Sequence, residues 1–130
     1  MTRRLAWFAL TLACVAPGRG ARPELVEGNP ASPVRVLIYE DLQCPDCLTL
    51  RNLLDEKLLP RYGSRVAFIH RDFPLGKHDW ARPAAVAARW VYQQDPDLGI
   101  TFRREILSEQ DHITAAGLNR WLLEFARRVS

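Results

Sequence analysis

Two cysteines separated by two residues are the groups whose type and spacing could do chemistry in this sequence. Cys44-Pro45-Asp46-Cys47 follows an apolar run, residues 34–39, and opens a helical pattern of leucines. A cysteine just before a helix lies near free backbone N–H groups and the positive end of the helix dipole, which favour its thiolate. The thiolate is the reactive form in thiol–disulfide exchange, and a cysteine one turn later can close a ring with it. The spacing therefore predicts a redox-active Cys44–Cys47 disulfide.

Two other uses of a cysteine pair are weaker here. A structural disulfide that closes so small a loop constrains the unfolded chain little. A zinc site would need two further ligands, and His70, His78 and His112 are not spaced as a pair. We therefore expect a redox role without a metal ion.

Residues 1–21 have the pattern of a secretory signal peptide. Arg3 and Arg4 precede an apolar stretch, residues 5–16, which is too short to span a bilayer comfortably. We expect Cys14 to be removed with this leader rather than to carry a lipid anchor. Export predicts a periplasmic or secreted protein of the bacterial envelope, with no stable membrane span after cleavage, in a compartment where disulfides persist.

The remaining sequence predicts one α/β domain over residues 34–130, after an irregular lead-in at residues 22–33. The net charge of +3 is modest and the basic residues are scattered, so we expect no nucleic-acid partner. The apolar run at 34–39 predicts a buried parallel strand. A helix from Pro45 to Leu59, ending before Pro60, and a second strand at 65–70 complete a right-handed crossover. Three more helices are predicted: residues 83–93, residues 95–107 with Asp95 as the cap, and a last one carrying Trp121 and Phe125.

Three separated motifs, in this order, resemble the DsbA-like thioredoxin-fold disulfide oxidoreductases. They are Gly28-Asn29-Pro30 with Ser32-Pro33-Val34; residues 39–47; and residues 71–75 with His78 and residues 81–88. The resemblance implies a thioredoxin-like fold with a helical insertion and protein disulfide oxidoreductase activity. By this match Cys44 is the exposed nucleophile and Cys47 the resolving thiol.

The same resemblance predicts a C-terminally truncated member. In the family a cis-proline loop faces the C-x-x-C after the inserted helices, and further strands then complete the sheet. Here no proline follows Pro96 before Ser130. We therefore expect an incomplete sheet of two parallel strands plus about four helices, without the cis-proline loop.

Two residues between the cysteines are expected to support the chemistry. Pro45 suits the first helical turn and stiffens the ring between the sulfurs. Asp46 places a carboxylate beside Cys44, which disfavours the thiolate. Because thiolate stability sets the redox poise, we expect a milder oxidant than a relative with a basic residue at this position.

Two acidic residues, Glu40 and Asp41, stand at the strand end before the cysteines. They are either a solvated pair that caps the loop, or one of them moves protons to or from Cys47. His70 is expected to be structural, and His78 to order the loop before the next helix.

The function predicted from the sequence is disulfide exchange with reduced or misbridged exported proteins. It requires a redox partner that resets the dithiol, and no organic cofactor. The alternative is a non-catalytic truncated remnant, or a binding module, whose disulfide is only structural.

Overall fold

The structure is a computed structural model that describes residues 24–130. The predicted signal peptide, with Cys14, lies outside these residues. In chain order the elements are β1 (Leu25–Gly28), β2 (Arg35–Glu40), α1 (Pro45–Leu53), a π-helical turn (Leu54–Leu58), α2 (Leu59–Tyr62), β3 (Ala67–Asp72), α3 (Ala81–Gln94), α4 (Pro96–Ser108), a 3-10 turn (Gln110–His112) and α5 (Leu118–Val129). Among these helices none is long and apolar enough to cross a membrane.

The described strands form one sheet in the order β1-β3-β2. β2 and β3 pair in parallel, as the strand-helix-strand pattern predicted, and Glu40 lies opposite Asp72. β1 pairs antiparallel with the other side of β3, with Leu25 opposite His70. The sheet thus has one strand more than the two predicted, contributed by the lead-in at residues 22–33. β1 could not be recognised from the sequence, because the strand has only four residues and one of them is a buried charged residue, Glu27.

Gly28 ends β1 with a turn that only glycine fits. Its φ of +85° lies in the left-handed region, and a Cβ there would stand 2.4 Å from the carbonyl oxygen of Val66. The N–H of Asn29 donates to that same oxygen at 2.9 Å. This close approach holds the start of the sheet in register.

The helix after the cysteines runs on to Tyr62, and the prediction that it ends before Pro60 is wrong. A proline inside an α-helix clashes with the carbonyl four residues earlier. Here the N–H of Leu59 donates to the oxygen of Leu54, five residues back, in a wider π turn. The wider turn makes room for the proline ring, so the helix continues.

The helices α3, α4 and α5 enclose an aromatic cluster. The ring of Phe102 meets those of Trp121 and Phe125 edge to face, with centroids 5.4 and 5.0 Å apart. Asp95 caps α4, as predicted, by accepting from two N–H groups of its first turn at 2.9 and 3.0 Å. These contacts hold α4 in place against its neighbouring helices, so that its side chains can reach the sheet from a fixed position.

Among the described strands β2 lies at an edge of the sheet, which corrects the prediction of a buried strand. Ile38 packs against Leu54, but Leu37 and Tyr39 are 52% and 61% exposed. The carbonyl of Val34 accepts from the N–H of Ala67 at the start of β3, and that of Glu40 accepts from the N–H of Phe73 just after its end. Because bonding alternates along a parallel strand, the N–H and C=O groups of Leu37 and Tyr39 face the other side, where no described strand pairs. An apolar, unpaired edge of this kind favours pairing with another strand.

We expect Leu37→Lys to weaken self-association of the protein, because a charge on an edge strand opposes strand pairing. Light scattering over a concentration series measures the mean mass, and circular dichroism checks the fold. Leu123→Lys is the matched control, since Leu123 is 60% exposed but lies on α5. Equal effects of the two variants, or none from Leu37→Lys, would contradict this role of the edge.

Candidate active site

The two cysteines lie at the start of α1, directly after the loop that leaves β2. Cys44 is the N-cap residue, with an extended backbone (φ −88°, ψ 124°), and its carbonyl accepts from the N–H groups of Cys47 and Leu48 at 3.0 and 3.3 Å. Pro45 occupies the first helical position, where no N–H is needed. Both cysteines are partly buried thiols, so the structure describes the reduced pair, and the disulfide stays a prediction.

The two thiols differ in their surroundings. Burial raises the pKa of the Cys47 thiol from its usual 9.0 to about 11, and the negative charges of a Cys44 thiolate and of Glu40 act in the same direction. The backbone N–H of Asp41 donates to Cys47 Sγ at 3.3 Å and opposes part of this rise. At neutral pH Cys47 therefore holds its proton.

The carboxylate of Asp41 is buried and orders two loops. One oxygen accepts from the N–H of Gln43 at 2.7 Å. The other accepts from the N–H of Leu75 at 2.7 Å and lies 2.8 Å from Nδ1 of His78. The alternative of a solvated pair is thus wrong for Asp41, and His78 orders the loop before α3 as expected. It is the backbone of Asp41 that contacts the Cys47 sulfur.

Glu40 is buried as well, within a group of charged side chains. Its Oε1 lies 2.8 Å from Nδ1 of His70 on β3 and accepts from Nη1 of Arg103 on α4 at 2.8 Å. Burial alone would raise the pKa of Glu40, but the bond to His70 and the positive charges of His70, Arg103 and Arg51 outweigh it and lower the pKa below 4.5. Glu40 is therefore an ionised group behind the cysteines rather than a solvated one.

The other side of His70 meets Glu27 of β1. His70 Nε2 lies 2.9 Å from Glu27 Oε1, off the line of a good hydrogen bond, so the contact is that of an ion pair. Arg51 of α1 donates to the same carboxylate. Burial raises the pKa of Glu27, yet His70 and Arg51 outweigh burial and bring it down to about 2. Burial likewise lowers the pKa of His70, but its two carboxylate neighbours outweigh burial and raise it above 6.5, which favours the charged imidazole.

Sequence reasoning found the cysteines and missed this charged group. Its members come from β1, β2, β3, α1 and α4, so no local spacing links them. The available signal was a charged residue inside an apolar element: Glu27 in β1, His70 in β3, and Arg51 among the leucines of α1. Asp46, in contrast, is exposed in the first turn of α1, beside Cys44. Within residues 24–130 no group of three or more His, Cys, Asp or Glu side chains is arranged to hold a metal ion.

A comparison with protein families gives one match. The sequence model described as thioredoxin matches residues 21–128 of the chain. No curated protein matches the sequence.

Several solved structures have a similar fold, and one of them is named as a thiol-disulfide exchange protein. Oxidised BdbD from Bacillus subtilis is 25% identical with a TM-score of 0.61, covering 67% of this chain and 48% of its own. The thiol-disulfide exchange protein alpha-DsbA2 from Wolbachia pipientis is 25% identical with a TM-score of 0.65, covering 81% and 52%. Alpha-DsbA1 from the same organism is 19% identical with a TM-score of 0.63, covering 82% and 54%.

The chain spans about half the length of these structures. Their likeness confirms the predicted fold class, which is thioredoxin-like with a helical insertion and an open sheet.

We expect Glu27→Gln to destabilise the protein by about 3 kcal/mol at neutral pH, because the pKa of Glu27 falls from 4.5 to about 2 on folding. A lowered carboxyl pKa stabilises the fold above the unfolded value and ceases to do so as the pH falls from 4.5 to about 2. The gap to the wild type should therefore close over this range in urea unfolding. Glu56→Gln, at an exposed residue of the π turn, should leave no gap. A gap for Glu27→Gln that does not change with pH would contradict the charge account.

Proposed function

The chain belongs to the thioredoxin family, and from this premise we propose that it exchanges disulfides with exported proteins through Cys44 and Cys47. The observation that carries the proposal is the unequal pair at the start of α1. Cys44 caps the helix, where an anion is stabilised by free N–H groups, while burial raises the pKa of Cys47 to about 11. One thiol is thus suited to attack and the other to remain protonated until the ring closes.

In the oxidising direction a substrate thiolate attacks Sγ of Cys44 in the Cys44–Cys47 disulfide. The sulfur–sulfur bond breaks, Cys47 leaves as a thiolate that takes up a proton, and a mixed disulfide with Cys44 forms. A second substrate thiolate then attacks the substrate sulfur of this bond and releases Cys44 as a thiolate. The substrate has lost two electrons and gained a disulfide, and the protein is left as a dithiol. The reverse sequence reduces or rearranges a substrate disulfide.

The residues around the pair have separate parts in this scheme. The N–H of Asp41 stabilises Cys47 as it leaves, because it donates to the sulfur at 3.3 Å. Glu40 acts through its charge, which favours the protonated form of Cys47. Pro45 stiffens the ring, and Asp46 restrains the Cys44 thiolate.

Partners and location follow from the same chemistry. The substrates are reduced or misbridged proteins of the bacterial envelope, outside the cytoplasm. A second redox protein restores the disulfide after each turnover, since the exchange leaves both cysteines reduced. The leader pattern of residues 1–21 supports this location, and electron transfer between sulfurs requires no organic cofactor.

The test is selective alkylation followed by exchange. We expect limiting iodoacetamide near neutral pH to label Cys44 before Cys47 in the reduced protein, because the pKa of Cys47 is raised to about 11. Peptide mapping identifies the adduct. In glutathione buffers the wild type should cycle between dithiol and disulfide, and Cys47→Ala should trap the mixed disulfide at Cys44. Preferential labelling of Cys47 would overturn the assignment of Cys44 as the nucleophile. A disulfide that glutathione does not reduce would favour a structural disulfide.

We expect Asp46→His to raise the reduction potential by about 30 mV, a tenfold change in the equilibrium constant with glutathione. The substitution removes a negative charge beside Cys44 and so favours the thiolate of the reduced form. Asp97→His is the matched control, because Asp97 follows Pro96 in the first turn of α4 as Asp46 follows Pro45 in α1. A potential that stays unchanged or falls in Asp46→His would show that this carboxylate does not act on the sulfur.

A further inference from the structure

Two carboxylates stand side by side where the parallel strands end. Glu40 closes β2 and Asp72 closes β3, and the two residues are partners in the register. Like charges directly across a sheet repel each other. The guanidinium of Arg103 lies between them, with Nη1 donating to Glu40 at 2.8 Å and Nη2 donating to Asp72. One side chain of α4 therefore holds the ends of both strands.

Arg103 is a charged side chain in a buried position, which is unfavourable for a guanidinium. It is 1% exposed, and its Nε has no hydrogen-bond partner within the described residues. Burying a guanidinium in this way costs several kcal/mol, and such pairs are often replaceable by apolar residues without loss of stability. A role in stability alone is therefore a weak explanation for Arg103.

The strand end that Arg103 holds leads directly to the redox pair. Glu40 is followed by Asp41, whose N–H donates to Cys47 Sγ at 3.3 Å. The charge of Glu40 also reaches this sulfur, since it contributes to the raised pKa of Cys47.

The charged groups that face Glu40 come from every element packed against it. They are His70 on β3, Arg103 on α4 and Arg51 on α1. Of these, His70 and Arg51 also neutralise Glu27. Arg103 does not contact Glu27 and is the group shared between Glu40 and Asp72. It is thus the cation whose removal most directly changes the charge at the end of β2.

We propose that Arg103 is a positioning residue of the redox pair: it fixes Glu40 and neutralises part of its charge, so that a side chain of α4 sets how negative a field the Cys47 sulfur faces. The proposal rests on the proposed function for the identity of the pair. Removing Arg103 makes the site more negative, which disfavours a thiolate and with it the reduced form. A side chain of α4 would then adjust the stability of a thiolate near the end of β2.

The test compares Arg103→Gln with Arg89→Gln. Arg89 also pairs with Asp72, at 3.0 Å, but its only described carboxylate partner is that one. The midpoint of Cys47 alkylation against pH, measured with Cys44 replaced by serine in every variant, should move upward in Arg103→Gln. The equilibrium constant with glutathione should shift by about threefold to tenfold toward the protein disulfide. Arg89→Gln should change neither quantity by more than about twofold.

A double-mutant cycle with Glu40→Gln separates the charge effect from loss of structure. Glu40→Gln alone should move the alkylation midpoint downward, and the effect of Arg103→Gln should shrink by at least half in this background. Equal effects in both backgrounds, equal effects of the two arginine variants, or a loss of thermal stability with an unchanged alkylation profile would overturn the proposal.

The role of Arg103 can be tested even if Arg103→Gln does not fold or the protein exchanges no disulfides. If Arg103→Gln does not fold, Glu40→Gln is compared with the Glu40→Gln, Arg103→Gln double variant, which leaves no unpaired carboxylate at residue 40. A difference above about threefold between them would then overturn the proposal. Alkylation requires no exchange activity, so a protein that fails to exchange disulfides would contradict the proposed function and still decide the role of Arg103.

Discussion

The fold depends on one charged contact at the centre of its sheet. His70 lies on the middle strand, with Glu27 of β1 on one side and Glu40 of β2 on the other. A buried charge of this kind is tolerated only when it is paired, so each strand requires the other two in a single register. A slip of one residue would turn these side chains to the opposite face of the sheet and leave the charges unpaired. Apolar residues at the same positions would permit more than one register.

The same contact adds to the difference between the two cysteines, whose main cause is the burial of Cys47. Glu40 must be ionised to hold His70, and its charge then acts on Cys47, which the chain brings close one helical turn after Cys44. The helix terminus acts on Cys44 in the opposite sense, since free N–H groups favour an anion there. The two thiols therefore differ in how readily they form a thiolate, because Cys44 lies at the helix end and Cys47 lies near the strand end. A pair of cysteines in a flexible loop would have no such difference.

Features of the structure that depend on neighbouring residues could be predicted from the sequence. The strand-to-helix position of Cys44 and the cap of α4 at Asp95 each depend on a few neighbouring residues, and both predictions are confirmed. β1 was not predictable in this way, because its register partners in β3 are 39 to 45 residues away along the chain. In addition, the burial of Glu27 depends on its contacts with Arg51 and His70. The apolar sequence of β2 indicated burial correctly for Ile38 alone, since an edge strand is defined by what does not pair with it.

The free edge of β2 and the redox pair are adjacent, and this has a consequence for recognition. β2 ends at Glu40, and four residues later the chain reaches Cys44. Any extended segment that pairs with the edge through Leu37 and Tyr39 is therefore brought to the same end of the sheet as the sulfurs. The N–H that donates to the Cys47 sulfur belongs to Asp41, and the groups that hold Glu40 just before it come from β3 and α4. The reactivity of the two thiols can thus be set by the described residues. The surface that a substrate would contact beside them depends on the segment that pairs with β2.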